Sequence, residues 1–157
     1  MKVIMPGSYD PVTVGHLEMI KRVAEKEEQV YAVIFVNPDK TYRFSLEDRV
    51  RMLMLATEGL DNVLVSYSLG RVVDYMREHG IEKIVKGYRN SVDLEYEKKQ
   101  AEYNFKHGGF ETELIECAED FRFVSSTEVR RRLDSSEALG GILPPAVEAY
   151  VKSIENK

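Results

Sequence analysis

Four short stretches of this 157-residue chain carry residue types suited to phosphate chemistry. The first runs from Pro6 to His16 and reads Pro-Gly-Ser-Tyr-Asp-Pro-Val-Thr-Val-Gly-His. Gly7 permits close backbone approach and Ser8 offers a hydroxyl. Gly15-His16 opens a helical pattern, where free N–H groups and the helix dipole favour anions. A histidine there can donate to a phosphate oxygen, whereas a lone Gly-His would mean only a turn cornered by Asp10-Pro11 and a surface histidine. The second stretch, Asn37-Pro38-Asp39-Lys40, holds a mobile ammonium in a polar loop. Taken alone, Lys40 is a solvated loop lysine. In the third, Val85-Lys86-Gly87-Tyr88-Arg89, two cations flank a glycine, which suits a polyphosphate or an ordinary basic turn. The fourth, Phe121 to Arg130, places Ser125, Ser126 and Thr127 at the start of a helical pattern. Backbone N–H and hydroxyl groups there can form an anion nest. The Ser125–Glu128 spacing also reads as a capping box, and the two roles are compatible.

These segments need a scaffold, and short β-rich runs alternate with helical periodicity to supply one. Strands are predicted at Val3–Met5, Val30–Val36, Val63–Val65, Ile84–Val85 and Glu113–Ile115. The Val30–Val36 run is apolar throughout, the pattern of a strand covered on both faces. Helices are predicted from Gly15, after an N-cap at Ser45 with Asp48 as its box partner, around Val72–Met76, over Val92–His107, from Ser125 through Leu133, and from Pro145 to the end. Strand–helix alternation of this kind predicts an α/β fold, a doubly wound, Rossmann-like parallel sheet of five strands with helices on both faces and a C-terminal helix. Ligands in such sheets bind outside the carboxyl ends of the strands. The first three segments directly follow predicted strands.

Length and composition narrow the function classes. A chain of 157 residues, 43% hydrophobic, is expected to form one domain over residues 1–157 and to bury about 70% of its unfolded surface. The net charge of −5 argues against a general nucleic-acid binder but not against a local anion pocket. Cys117 is the sole cysteine, which fits a reducing compartment and an inert thiol. No apolar run approaches the roughly 18–20 residues of a membrane span, and Met1–Met5 gives way at once to Pro6-Gly7 without a signal-peptide core. A cytoplasmic protein without membrane partners is expected. His79 and His107 read as helix-end residues, and Tyr96 and Tyr103 as packing residues. Arg130-Arg131-Arg132 reads as a solvated helix face with one member turned toward phosphate.

The ten-residue run Gly-Ser-Tyr-Asp-Pro-x-Thr-x-Gly-His closely resembles the signature of the nucleotidylyltransferase superfamily. Thr13, where nicotinate and cytidylyl relatives usually carry His, makes it look like the phosphopantetheine adenylyltransferase family. Asn37-Pro38-x-Lys40 followed by Phe44-x-x-x-x-Arg49 is similar to that family's next motif. The family's Arg-Gly-x-Arg appears as Lys86-Gly87-Tyr88-Arg89, with Lys86 in place of Arg, ahead of Asp93-Leu94-Glu95-Tyr96-Glu97. Its aromatic-x-Phe-Ile-Ser-Ser-(Ser/Thr) appears as Phe121 to Thr127, with Phe121 where Trp is frequent.

The resemblance implies adenylyl transfer from ATP to 4′-phosphopantetheine, giving dephospho-coenzyme A and pyrophosphate. It implies His16, Lys40, Arg89 and Ser8 at the reaction centre. It implies an ATP site of Ser8, Tyr9, His16, Gly87, Tyr88, Arg89, Glu97, Phe121, Arg122, Phe123, Val124, Ser125, Ser126 and Thr127, and an acceptor site of Ser8, Lys40, Val72 and Lys86. It further implies Mg²⁺ carried with ATP, a homohexamer and coenzyme A as feedback ligand. The chemistry agrees with the residue content. A phosphomonoester is largely dianionic at pH 7 and needs no general base, so positioning and charge compensation suffice. The sequence shows no Ser-His-Asp set and no carboxylate cluster that would cage a metal. Two rivals remain at this point: a nucleotidylyltransferase with a different acceptor, such as nicotinate mononucleotide or glycerol phosphate, and a non-catalytic nucleotide-binding regulator.

Overall fold

The computed structural model describes residues 1–156. Along the chain run β1 (Lys2–Gly7), α1 (Val14–Lys26), β2 (Gln29–Phe35), α2 (Leu46–Thr57), β3 (Val63–Ser68), α3 (Val72–His79), β4 (Lys83–Tyr88), α4 (Ser91–Gly108), β5 (Thr112–Glu116), α5 (Ser126–Asp134) and α6 (Pro145–Glu155). A single 3-10 turn at Glu119–Phe121, which periodicity does not reveal, links β5 to α5.

The five strands form one sheet, ordered β3-β2-β1-β4-β5, and every pairing is parallel. This is the α/β Rossmann-like arrangement that the strand–helix alternation predicts. The order reverses between β1 and β4. A crevice opens at such a switch point because the chain leaves the two strands toward opposite faces of the sheet.

The period-2 alternation of the strands builds two cores. Val3 and Met5 of β1, Val30, Ala32 and Ile34 of β2, and Val85 of β4 meet Ile20 and Val23 of α1, Met52 and Leu53 of α2, and Val147 and Val151 of α6. The intervening residues Ile4, Tyr31, Val33 and Ile84 point the other way, against Tyr75 and Met76 of α3. β2 is thus buried continuously from Val30 to Ile34, as its unbroken apolar run requires. Each fully buried branched side chain here contributes on the order of 1.5–3 kcal/mol, which anchors the sheet whose rim carries the site.

Local sequence sets the element ends, in places differently from expectation. β4 does not stop at Val85: Lys86, Gly87 and Tyr88 pair with Leu114, Ile115 and Glu116 of β5. The third segment is therefore held on a strand as far as Tyr88, with Arg89 just past its end. Ser45 caps α2 by accepting the Asp48 N–H at 3.1 Å, but the Asp48 carboxylate turns away to accept the Tyr150 hydroxyl at 2.7 Å. Ser125 caps α5 by accepting the Glu128 N–H at 3.0 Å. Glu128 bonds Arg131 and Arg132 instead of closing the box. Tyr96 and Tyr103 are 62% and 46% exposed, so they are not packing residues. α4 buries only one side chain, Glu97. Among the described residues, no helix is long and apolar enough to cross a membrane.

Candidate active site

A cleft of about 300 Å³ lies at the carboxyl ends of β1 and β4, where the sheet order reverses. That is the lower end of the size range of small-molecule sites. Its walls bring together the four segments. Ser8, Tyr9 and His16 come from the β1–α1 region, and Lys40 from the loop after β2. Lys86, Gly87 and Arg89 come from the end of β4. Phe121 and Val124 lead into Ser125, Ser126 and Thr127 at the start of α5.

His16 is fixed by a reciprocal helix cap. Thr13 stands in extended backbone before α1, and its side chain accepts the His16 N–H at 3.3 Å. The His16 ring accepts the Thr13 N–H on Nδ1 at 3.0 Å. Histidine here does the work that Glu or Gln does in the usual capping box. An Nδ1 that accepts an N–H carries no proton, so the neutral ring has its hydrogen on Nε2. Burial, and then the nearby Lys86 and Arg89 charges, push the ring's pKa down to about 4. At neutral pH, His16 therefore offers the cleft an uncharged Nε2–H donor.

The cations are braced from behind. Lys86 Nζ donates to the Pro6 carbonyl at 3.1 Å and lies 3.3 Å from Glu97, which is buried. Arg89 Nε donates to Asp93 at 3.0 Å, leaving the outer guanidinium nitrogens for a ligand. Lys40 sits only over the Tyr42 ring, at 5.5 Å, and among the described residues it forms no ion pair. Gly87 lets the flexible end of Met19 lie against the strand: a Cβ there would meet the Met19 sulfur and methyl, which would have to turn aside.

At the start of α5 the hydroxyls are already engaged. Ser125 caps the helix, Ser126 donates to the Pro11 carbonyl at 2.7 Å, and Thr127 accepts from Arg130 at 3.1 Å. The donors left for an anion are the Ser126 and Thr127 N–H groups, which have no intrahelical partner, and the hydroxyl protons of Ser125 and Thr127, which only accept in these bonds. Tyr9, at φ 46°, turns its ring inward and donates to the Met5 carbonyl at 2.8 Å. Burial raises its phenol pKa, so the hydroxyl stays protonated.

Five of the sequence-predicted residues do not line the cleft. Tyr88 presents its carbonyl to the Cys117 N–H at 2.9 Å. Glu97 lies behind Lys86. Phe123 is 87% exposed and Arg122 is exposed beside it. Val72 begins α3 and packs against the second core. Residues that the motifs gave no role do line it: Asp10, Met19, Cys117 and Arg130. Burial pushes the Cys117 thiol pKa up, which keeps it a poor nucleophile. Arg130 is the one member of its arginine run that reaches the cleft, although its Nη1 donates to the Asp10 carbonyl at 2.8 Å. Arg49 is 2% exposed and donates to the carbonyls of Ser8 and Phe44. Its only sequence signal is the Phe44-x-x-x-x-Arg49 spacing.

The arrangement can hold a chain of phosphates, since cations at the end of β4, an uncharged N–H donor and a helix start line one cleft. Comparison with known proteins agrees with it. The cytidylyltransferase-like family pattern matches residues 4–132. A phosphopantetheine adenylyltransferase of Thermobifida fusca is 34% identical over 152 residues, 97% of this chain and 93% of its own length. One from Corynebacterium efficiens is 37% identical over 153 residues, and one from Clostridium novyi 36% over 155, each covering at least 94% of both chains. This chain belongs to the phosphopantetheine adenylyltransferase family. It is a nucleotidyltransferase, and the family match runs from β1 into α5, so it includes every wall of the cleft.

Proposed function

We propose that this protein joins ATP and 4′-phosphopantetheine into dephospho-coenzyme A and pyrophosphate, a step of coenzyme A synthesis. The observation that carries the reading is the convergence of His16, Lys40, Lys86 and Arg89 on one cleft in which no activated nucleophile or free general base stands. An oxygen of the acceptor phosphate attacks the α-phosphorus of ATP, and the bond from that phosphorus to the bridging oxygen of the β-phosphate breaks. Pyrophosphate leaves with the electron pair and no covalent enzyme intermediate forms. Lys40 and Lys86 meet the acceptor phosphate, Arg89 the ATP phosphates, and His16 donates to the charge that builds on the α-phosphoryl oxygens. Such donors aimed at developing charge are the largest contribution in phosphoryl-type transfers.

Mg²⁺ belongs to this reading as a companion of ATP, where it neutralises phosphate oxygens. The donor set supports that role. Asp10 is the one carboxylate lining the cleft, and both its oxygens are engaged by backbone N–H groups. The protein therefore supplies donors for phosphate and no side-chain cage for a cation. The same reading takes residues 1–157 as one catalytic domain in a cytoplasmic setting, with assembly into a homohexamer and feedback by coenzyme A. The exposure of Val92 and Tyr96 on α4, 76% and 62%, supports an assembly face.

The test is pyrophosphate release from Mg-ATP with 4′-phosphopantetheine, nicotinate mononucleotide or glycerol phosphate as acceptor. Release with 4′-phosphopantetheine is expected. Release with only another acceptor overturns the choice of substrate, and release with none points to a nucleotide-binding regulator.

A further inference from the structure

A buried carboxylate is an odd neighbour for a phosphate site, since its charge repels the ligand. Asp10 is 3% exposed and lines the cleft. Its Oδ2 accepts the Arg43 N–H at 2.9 Å and its Oδ1 the Phe44 N–H at 3.0 Å. Two successive amides from a distant loop thus converge on one carboxylate, which has two acceptor oxygens; an amide side chain has one. Around it the Asp10-Pro11 corner is held from the opposite wall. Arg130 donates to the Asp10 carbonyl at 2.8 Å, and Ser126 to the Pro11 carbonyl at 2.7 Å. Arg49 adds a parallel tie, donating to Ser8 and Phe44 carbonyls at 3.1 and 3.2 Å while its guanidinium lies 3.9 Å over the Tyr42 ring.

The segment so captured carries Lys40, three residues before Arg43. At its other end the loop is pinned by a turn in which Lys40 N–H meets the Asn37 carbonyl at 3.1 Å and Asp39 N–H meets Asn37 Oδ1 at 2.9 Å. Between these two anchors Lys40 has no ion pair among the described residues to hold it. We propose that Asp10 is a positioning residue: through the Arg43 and Phe44 amides it clasps the 37–44 loop to the β1–α1 turn and so sets Lys40 over the acceptor phosphate. The role rests on the adenylyl-transfer reading of the cleft. Asp10 acts through the loop and not on substrate, because its carboxylate is turned to the Arg43 and Phe44 amides and its charge would repel a phosphate.

The test is Asp10→Asn, which keeps the shape but loses the charge and one acceptor. Losing a charge-assisted bond to a buried amide should speed hydrogen exchange at Arg43 and Phe44 by about tenfold or more, and lower the NMR order parameter of the Lys40 amide. The KM for 4′-phosphopantetheine should rise by roughly tenfold, while the KM for ATP moves far less. A double-mutant cycle separates positioning from general damage. In a Lys40→Ala background, Asp10→Asn should add almost nothing to the KM for the acceptor. Equal penalties in both backgrounds, or unchanged exchange at Arg43 and Phe44, would overturn the proposal. Should Asp10→Asn fail to fold, Asp10→Glu keeps the charge, displaces it by one methylene and carries the same cycle. The exchange and order-parameter measurements need no substrate. Wild-type protein inactive on 4′-phosphopantetheine would therefore sink the functional reading, while these measurements still decide the clasp.

Discussion

Replacing His16 by Ala removes two things that the structure keeps apart. One is the Nε2–H donor facing the cleft; the other is the Nδ1 acceptor that caps α1 through the Thr13 N–H. A preorganised donor aimed at transition-state charge is worth about 2.7–4 kcal/mol, so kcat should fall roughly 10²–10³-fold. The ATP phosphates keep Arg89 and the α5 start, so ATP affinity should change no more than a few-fold. The lost half of the cap should cost about 1 kcal/mol of stability at neutral pH. Acid reverses that sign. The native ring titrates at about 4, against 6.5 for an unfolded histidine. Between those values the unfolded chain takes up a proton that the native ring refuses. Stability attributable to His16 is thus intact above pH 6.5 and is lost as pH falls toward 4, by at most about 3 kcal/mol, less because the ring is only half-buried. His16→Ala should be the less stable protein at pH 7.5 and the more stable one, relative to wild type, near pH 4.5. The assays are saturating turnover by pyrophosphate release, calorimetry with ATP, and urea melts at the two pH values. Turnover within threefold of wild type would refute the donor role. An inflection near pH 6.5 in the wild-type kcat that disappears in the variant would refute the neutral ring.

Other residues give independent tests. Lys40→Ala should raise the KM for 4′-phosphopantetheine and lower turnover, since among the described residues the ammonium forms no ion pair and lies only over the Tyr42 ring; unchanged kinetics would leave it a solvated loop residue. Gly87→Ala should destabilise by no more than about 1 kcal/mol in a urea melt, because the new methyl meets only the flexible end of Met19, which can turn aside; a loss near ~3 kcal/mol would show that Met19 is locked in place. Tyr150→Phe should cost about 1–2 kcal/mol by removing the 2.7 Å bond that ties α6 to the Asp48 carboxylate, with no change in kcat.

The fold was legible where local pattern and tertiary demand coincide. The apolar run at Val30–Ile34 announces a strand covered on both faces, and the Ser45 and Ser125 caps mark helix starts to the residue. Pattern failed where a distant partner decides. Lys86–Tyr88 looks like a turn because Lys86 and Gly87 break the apolar run, yet β5 extends the ladder through it. Glu128 and Asp48 have capping-box spacing, but guanidinium groups and a tyrosine hydroxyl compete for them. In the site, the cations and the helix start were legible as types that phosphate requires. The residues that aim them were not. Asp10 read as a turn corner because the amides it binds lie 33 and 34 residues away, and backbone donors leave no mark on sequence. His16 as a cap was hidden for a simpler reason: histidine is not among the residues that signal that position.

The distribution of charge in the cleft resolves how a protein of net charge −5 can present a phosphate site. Phosphate-binding cations confined in a small cavity repel one another, and the His16 pKa, depressed first by burial and then by the Lys86 and Arg89 charges, records part of that repulsion. Glu97 and Asp93 offset it from outside the cavity, each ion-paired with the back of one cation, so the field of Lys86 and Arg89 points inward while their mutual cost is reduced. Placed inside the cavity, the same carboxylates would repel ATP. Among the described residues, the one acid that does line the cleft, Asp10, accepts an amide N–H on each oxygen and lies 3.9 Å from Arg130, so its charge is largely compensated. An acidic exterior and an anion-binding interior are therefore compatible here, because the acids that brace the cations stand behind them, beyond the cleft wall.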